Sequence, residues 1–414
     1  MSILIDLQKC SQVLQEQMDK ELNLVIPINP KQSISLQPYR VHESLAYVPF
    51  AYGVSIGFEP MPHHQIQNRF EFIGTLREEQ KVVRNEVLDC LNQTRSVIVS
   101  THVGFGKSIL ATYFAYKIQM KTLIVVNRLV LINQWVDVLN QFIRDPKICI
   151  IKPTKIIDWD CDFFIINAVN LPKLGYMPEI GLVIVDELHL IVSKVLSTSF
   201  QYLTPSYFIG LSATPYRNDG LDILIDLYFG KTRINRELER AHHVFKINTG
   251  FVPVINKQVN GKVDWNDILN QQAMDPNRNE LIIQIITSNP YNFLVLCKRV
   301  DQIRLLERRL KETGIDAIGL YGDKQPEKLN PEKQIVLIGT IQKVGTGFDA
   351  PYLNALIVAA DLEAYFIQYL GRVFRKRDTI PKIFDLVDNY SILKKHYKTR
   401  EQTYLKHGGT LKSK

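Results

Sequence analysis

The sequence predicts an α/β protein built from two tandem units, each a mostly parallel sheet covered by helices, behind a small N-terminal module. Three observations carry this. Short apolar runs at 96–100, 122–126, 147–151, 162–166, 181–185 and 207–211 are interleaved with helix-like stretches at 107–119, 129–142 and 192–200. Strands buried on both faces read as near-continuous apolar runs, and helical crossovers between them imply parallel pairing. The same alternation returns downstream, in a second unit of roughly 150 residues, an ordinary domain size. Before residue 72 the texture differs: Pro27, Pro30, Pro38, Pro49, Pro60 and Pro62 interrupt short β-leaning pieces.

In chain order, 2–24 has helix-like spacing through Ile3, Leu7, Val13, Leu14, Met18 and Leu22, and 44–52 and 53–58 lean towards strand. Tyr39, Tyr47, Phe50, Tyr52 and Phe58 read as core, with base stacking the alternative. A helix opens at Leu76-Arg77-Glu78-Glu79-Gln80 and runs to about residue 91. The first α/β unit follows, then a helical stretch at 221–228 and a polar, β-rich connector from 231 to 265. The second unit reads as helix 276–288, strand 293–297, helix 300–313, strands 315–320, 334–338 and 355–359, helix 362–370 and strand 382–386. The expected divisions are 1–72, 73–232, 233–265 and 266–414, the last ending in a basic helix and tail.

Composition narrows the classes. An apolar fraction of 46% suits globular cores, and no run of about 18 apolar residues suggests a membrane span. The N-terminus carries Asp6 where an export signal would be basic. Cys10, Cys90, Cys149, Cys161 and Cys297 are scattered, without metal-ligand spacing, and read as reduced thiols. The expected location is therefore intracellular, cytoplasmic or nuclear. A net charge of +8 favours a polyanionic partner, and Arg372 to Arg377 and Lys394 to Lys414 concentrate it near the C-terminus.

Two stretches carry the chemistry. Thr101-His102-Val103-Gly104-Phe105-Gly106-Lys107-Ser108 follows a strand and opens a helix. Its glycines let backbone N–H groups approach phosphates, Lys107 reaches the β/γ-phosphates and Ser108 can ligate Mg²⁺. Thr101 stands where a first glycine is usual. Val185-Asp186-Glu187-Leu188-His189 ends a second strand. Asp186 can order Mg²⁺, and Glu187 can orient or deprotonate the attacking water. Together they describe ATP hydrolysis. Ser212-Ala213-Thr214, at a neighbouring strand end, would sense the γ-phosphate through His189. Gln80 can read the adenine edge beside Arg77. The second unit has no phosphate loop. Gln368 to Arg375 places Arg372 and Arg375 on one helical face, where they can act as arginine fingers. The glycine-rich 339–351, with Gly347 and Asp349, suits phosphate and ribose contacts.

These pieces, in this order, resemble the superfamily 2 helicases with an Asp-Glu-x-His box. The resemblance spans roughly 73–410. Leu76–Gln80 resembles the adenine-side motif, Thr101–Ser108 motif I, 125–135 motif Ia, Asp186–His189 motif II and Leu211–Pro215 motif III. Gly339–Pro351 resembles motif V and Gln368–Arg375 motif VI. Thr214 to Gly220 and the ending 383–388 are similar to the UvsW/XPB-like branch, whose short members occur in large DNA viruses. A viral source would place the protein in a viral factory or virion. The resemblance implies two RecA-like lobes with ATP and Mg²⁺ in the cleft between them, and His189 and Gln368 in the catalytic set. It also implies DNA (duplex, forked or single-stranded) or RNA crossing Arg128, Asn167, Lys298, Arg299 and Thr340, with replication or transcription proteins as further partners. Three classes stay open: a DNA helicase, a duplex translocase that displaces a polymerase or transcript, and a scaffold whose ATPase has lapsed. The intact Lys107, Asp186, Glu187, Arg372 and Arg375 speak against the third.

Overall fold

A computed structural model describes residues 2–29, 32–66, 70–102, 104–175, 177–192, 200–213, 220–258, 261–322, 333–345, 350, 352–362, 367–374 and 378–412. The strands are β1 (Ser2–Asp6), β2 (Leu24–Asn29), β3 (Gln32–Leu36), β4 (Arg40–His42), β5 (Leu45–Pro49), β6 (Ser96–Thr101), β7 (Thr122–Val126), β8 (Ile148–Ile150), β9 (Phe163–Asn167), β10 (Leu182–Asp186), β11 (Tyr207–Ser212) and β12 (Arg233–Arg236). Then come β13 (His242–Asn248), β14 (Phe293–Cys297), β15 (Asp316–Leu320), β16 (Ile335–Thr340), β17 (Ala355–Val358), β18 (Lys382–Val387) and β19 (Gly409–Lys412). The chain forms two compact units, Met1–Thr101 with Phe105–Arg236, and Glu237–Lys414 with His102–Gly104.

The first unit holds a seven-stranded sheet in the order β12-β6-β11-β10-β7-β9-β8, parallel throughout. Alternation along each strand fills two cores. Val97, Val99, Ile184, Ile209 and Leu211 face the core beneath the helices Glu78–Thr94, Lys107–Ile118 and Leu129–Phe142. Ile98, Val183, Val185 and Phe208 face the other side. That second core is where the N-terminal module packs: Ile3, Ile5, Val48 and Phe50 belong to it and are fully buried. Each such side chain contributes about 1.5–3 kcal/mol by leaving water. Phe50 meets Phe208 edge-on at 5.9 Å, and the buried Tyr228 hydroxyl donates to the Pro38 carbonyl at 3.1 Å.

Two local expectations in this module are corrected. Residues 2–6 form a strand, paired antiparallel with β5, and the helix begins only at Gln12. Ile3 and Ile5 alternate into the core, so period two wins over the longer helical spacing, and Ser11 caps the helix by accepting from Leu14 N–H. Phe50–Ser55 is a short helix rather than a strand. Its Gly53 lies against Ile3, where a Cβ would come within 2.5 Å. Phe50 and Tyr52 are buried and Tyr39 and Phe58 pack against the same cluster, which makes these aromatics core.

The second unit holds another seven-stranded parallel sheet, β15-β16-β14-β17-β18-β13-β19. Its two faces are covered by clusters containing Leu294, Leu296 and Leu337, and Phe293, Val295 and Ile338. The stretch expected as a connector supplies β12 to the first sheet and β13 to the second. The basic tail is helical over Ser391–Lys406 and then turns through Gly408 (φ +85°) into β19. The helix expected at 192–200 falls largely outside the described residues. The architecture is thus two tandem RecA-like sheets plus the N-terminal module.

Candidate nucleotide and nucleic-acid site

β6, β11 and β10 lie side by side with Ser212 opposite Ser100 and Leu211 opposite Asp186. Their carboxyl ends share one edge of the sheet, the edge where open α/β sheets bind ligands. From β6 the chain loops into the helix Lys107–Ile118. Gly106 sits at φ +92°, where a Cβ would come 2.5 Å from Gln80 Nε2, so glycine is required there. Lys107 Nζ donates to the Thr101 carbonyl at 2.9 Å, and Ser108 stands in the helix's first turn. Thr101 Oγ1 is buried without a hydrogen-bond partner among the described residues.

Gln80 is 2% exposed. Its Oε1 accepts from Arg77 N–H at 2.9 Å and its Nε2 donates to the Phe105 carbonyl at 2.8 Å. The Arg77 guanidinium donates to the same carbonyl and pairs with Glu79 at 3.1 Å. Gln80 and Arg77 therefore both hold the glycine-rich loop at the Phe105 carbonyl. His102 and Gly104 are described residues of the loop, and Val103 lies outside them.

β10 delivers Asp186, 8% exposed, to the same edge. Its carboxyl is pushed up to about 6, first by burial and then by Glu187, against the Trp135 and Lys107 contributions. Trp135 Nε1 donates to Asp186 Oδ2 at 2.9 Å. Glu187 takes a left-handed conformation, φ 51°, and opens the turn Leu188–Ile191. Glu187 Oε2 is buried without a hydrogen bond among the described residues, 3.6 Å from His189 Nδ1. His189 Nδ1 and Ser212 Oγ are 2.8 Å apart, joining the ends of β10 and β11.

A divalent cation fits this donor set. Burial and the neighbouring Glu187 raise the Asp186 carboxyl, and Glu187 Oε2 is buried without a hydrogen bond among the described residues. No group of three or more His, Cys, Asp or Glu side chains placed for a metal occurs among the described residues. Mg²⁺ needs none, since it keeps waters and takes substrate phosphates with one or two carboxylates.

The remaining candidates fall on carboxyl edges as well. Val126 pairs with Asn167, so Asn167 and Arg128 come from neighbouring strand ends of the first sheet. Cys297 pairs with Thr340, bringing Lys298 and Thr340 together in the second. Asn167 is buried, and its Oδ1 accepts from Val169 N–H at 3.1 Å, capping the turn Ala168–Lys173. Arg299 Nε donates to Asn270 Oδ1 at 2.6 Å, and Thr340 Oγ1 accepts from Lys343 N–H at 3.2 Å. Gln368 and Arg372 lie on the helix Ile367–Val373, where Arg372 is 9% exposed. Thr214, Gly347, Asp349 and Arg375 lie outside the described residues.

A model of the family "Type III restriction enzyme, res subunit" matches residues 73–217. The chain is 40% identical over 408 residues to "Putative helicase 161L" of Invertebrate iridescent virus 6, covering 90% of this chain and 91% of that one. The chain is a superfamily 2 helicase. It is also 32% identical to "Putative helicase 055L" of Frog virus 3, over 89% of this chain and 86% of the relative. The structure "S. cerevisiae Dbp5 bound to RNA and ADP BeF3" shares the fold, with a TM-score of 0.56 at 13% identity, over 80% of this chain and 89% of that one. This helicase is thus an ATP-dependent enzyme acting on nucleic acid. None of its helices among the described residues is long and apolar enough to cross a membrane. Sequence reasoning on the helicase missed two groups at the site. The Phe105 carbonyl, the shared acceptor of Arg77 and Gln80, is backbone and leaves no signal in residue type. Trp135 gave a signal only as a large aromatic on an otherwise amphipathic helix.

Proposed function

We propose that this helicase couples ATP hydrolysis to movement on DNA, unwinding or remodelling duplex or branched substrates. The observation that carries the reading is the shared edge of β6, β11 and β10. It brings Lys107, Asp186 with Glu187, and the His189–Ser212 pair to adjacent strand ends. In this reading Lys107 turns from the Thr101 carbonyl to the β/γ-phosphates, and backbone N–H groups of 104–108 cradle them. Asp186 and Ser108 would hold Mg²⁺, which when bound offsets charge on the phosphates. Glu187, with an oxygen that makes no hydrogen bond among the described residues, orients and deprotonates the attacking water. His189 and Ser212 report the state of the γ-phosphate to the end of β11. Arg372 and Arg375 are proposed to supply the fingers.

Arg128, Lys298, Arg299 and Thr340 are proposed to touch the strand backbone. Phosphate contacts make such binding sequence-independent and salt-sensitive. The net charge of +8 supports a polyanion, and the relatives from iridescent and frog viruses support replication, repair, recombination or transcription of viral DNA as the setting.

The test is steady-state ATP hydrolysis, wild type against Glu187→Gln, with no nucleic acid and then with single-stranded, duplex or forked DNA, or RNA. The expected result is hydrolysis stimulated most by duplex or forked DNA, weakened by salt and lost in the variant. Stimulation by RNA alone would overturn the DNA reading. Stimulation without strand displacement would replace unwinding by duplex translocation.

A further inference from the structure

Trp135 sits two turns into the helix Leu129–Phe142, whose N-cap is Arg128. It is 2% exposed, and its only polar atom donates to Asp186 Oδ2 at 2.9 Å. Leu131, Ile132 and Leu139 seat the same helix in the core that also holds Leu110 and Phe114 of the phosphate-loop helix. β7, which feeds the helix, is hydrogen-bonded directly to β10, which carries Asp186. One rigid element therefore bears a candidate strand contact at its first residue and a fixed donor to the catalytic carboxylate seven residues on. A hydrogen bond weakens steeply once its angle or length departs from ideal. A small displacement of this helix is thus felt at Asp186.

We propose that Trp135 is a positioning residue that couples strand binding at the Arg128 end of the helix to the nucleotide site, through the indole N–H held on Asp186. This rests on the reading of Arg128 as a backbone contact. Binding of a strand would set the helix, the helix sets Trp135, and Trp135 aims the Asp186 carboxylate. Linkage makes the effect reciprocal: a nucleotide bound at Asp186 changes strand affinity by the same factor as the strand changes nucleotide affinity. Asp186 also takes a backbone hydrogen bond from Glu187, and its burial makes the side-chain donor Trp135 matter more than it would in water.

The test measures that factor by equilibrium binding on the full chain. Anisotropy of labelled forked DNA and of labelled single-stranded RNA gives strand affinity with and without a non-hydrolysable ATP analogue and Mg²⁺. The variants are Trp135→Phe and a chain carrying benzothienylalanine at 135, which keeps the ring shape and removes only the N–H. In wild type the coupling factor is expected in the range of about 5–150-fold. In both variants it falls towards one, while strand affinity without nucleotide stays within about threefold. Thermal unfolding checks that each variant is folded, and the benzothienyl chain serves if Trp135→Phe is not. A factor unchanged in the benzothienyl chain overturns the proposal, as does a wild-type factor of one. If wild type binds neither strand, the functional reading itself fails and the coupling falls with it.

Discussion

Replacing Asp186 by Asn should stabilise the protein in the absence of nucleotide and divalent cations. The carboxyl is driven from its ordinary 3.8 to about 6 by burial and by Glu187. A carboxyl with a raised folded value holds its proton more tightly in the folded state than in the unfolded chain. Below 3.8 both states are protonated and the site costs nothing. Between 3.8 and about 6 the unfolded chain ionises first, so the folded state loses stability as pH rises. Above 6 the loss is complete. At 1.36 kcal/mol per pH unit this amounts to about 3 kcal/mol. Asp186→Asn keeps an oxygen for the Trp135 N–H and removes the ionisation. Its advantage over wild type should therefore be absent near pH 3.5, grow to pH 6 and stay flat to pH 8. For a unit of this size that is roughly 6–12 °C in Tm. Calorimetric unfolding across this pH range, with EDTA, checks it, and adding Mg²⁺ should narrow the gap by stabilising wild type alone. A variant no more stable than wild type at pH 8, or a gap that is the same at pH 3.5 and pH 8, would refute the reasoning.

Gly106→Ala should weaken nucleotide affinity at least tenfold and destabilise by about 1–2 kcal/mol, because φ +92° disfavours a Cβ that also meets Gln80 at 2.5 Å; a fluorescent nucleotide titration with a melt shows both. Gln80→Ala removes one of the two donors to the Phe105 carbonyl, so KM for ATP should rise several-fold while the turnover rate at saturation stays near wild type. Glu187→Gln should lower the turnover rate by about 10²–10⁴ while nucleotide still binds; unchanged turnover would remove Glu187 from the catalytic role. In the second unit Arg278→Ala strips the buried Asp388 of its 2.8 Å partner and should cost about 3–5 kcal/mol. A shift of less than 1 kcal/mol would mean that the Gln272 amide and the Thr249 hydroxyl, which also donate to Asp388, suffice for it.

The two sheets were legible in the sequence because parallel strands buried on both faces leave unbroken apolar runs, as at 122–126 and 293–297. The glycine-rich loop that leads from β6 into its helix and the acidic end of β10 were legible as positions because particular residue types stand there at fixed offsets. What failed was where two periods compete or where backbone decides. Ile3 and Ile5 fit a helix with Leu7 and a strand with each other, and only the pairing with β5 settles it. Gly53 lets a helix approach Ile3 where the flanking aromatics suggest a strand. Asn167 was not legible as the cap of the turn that ends its own strand, because an amide there also suits a contact to a nucleic-acid backbone. β13 and β19 were invisible as sheet members because half-polar strands beside a sheet edge carry no apolar run.

The costs in this fold concentrate where the chemistry is. Asp186 is an acid in the wrong medium, and Glu187 holds a left-handed backbone that costs an L-residue about 1–2 kcal/mol. Glu187 Oε2 and Thr101 Oγ1 are buried without a hydrogen bond among the described residues. Each would be cheaper as something else: Asn at 186, Gly at 187, Val at 101. They persist because rigid neighbours over-determine them: four fully buried strand residues precede Asp186, and the buried Leu188 and His189 follow Glu187. A site whose dipoles and charges are set in advance spends none of the reaction's driving force on reorganising them. In the proposed reading bound phosphates and a cation would supply what these groups lack, so nucleotide binding should remove strain at the ends of β6 and β10 together. The His189–Ser212 bond and the Trp135–Asp186 bond would then carry that relief out of the site. The first reaches the end of β11 and the second the helix that begins at Arg128. A helicase needs both directions, since a γ-phosphate that is sensed without being felt at the strand would hydrolyse without moving anything.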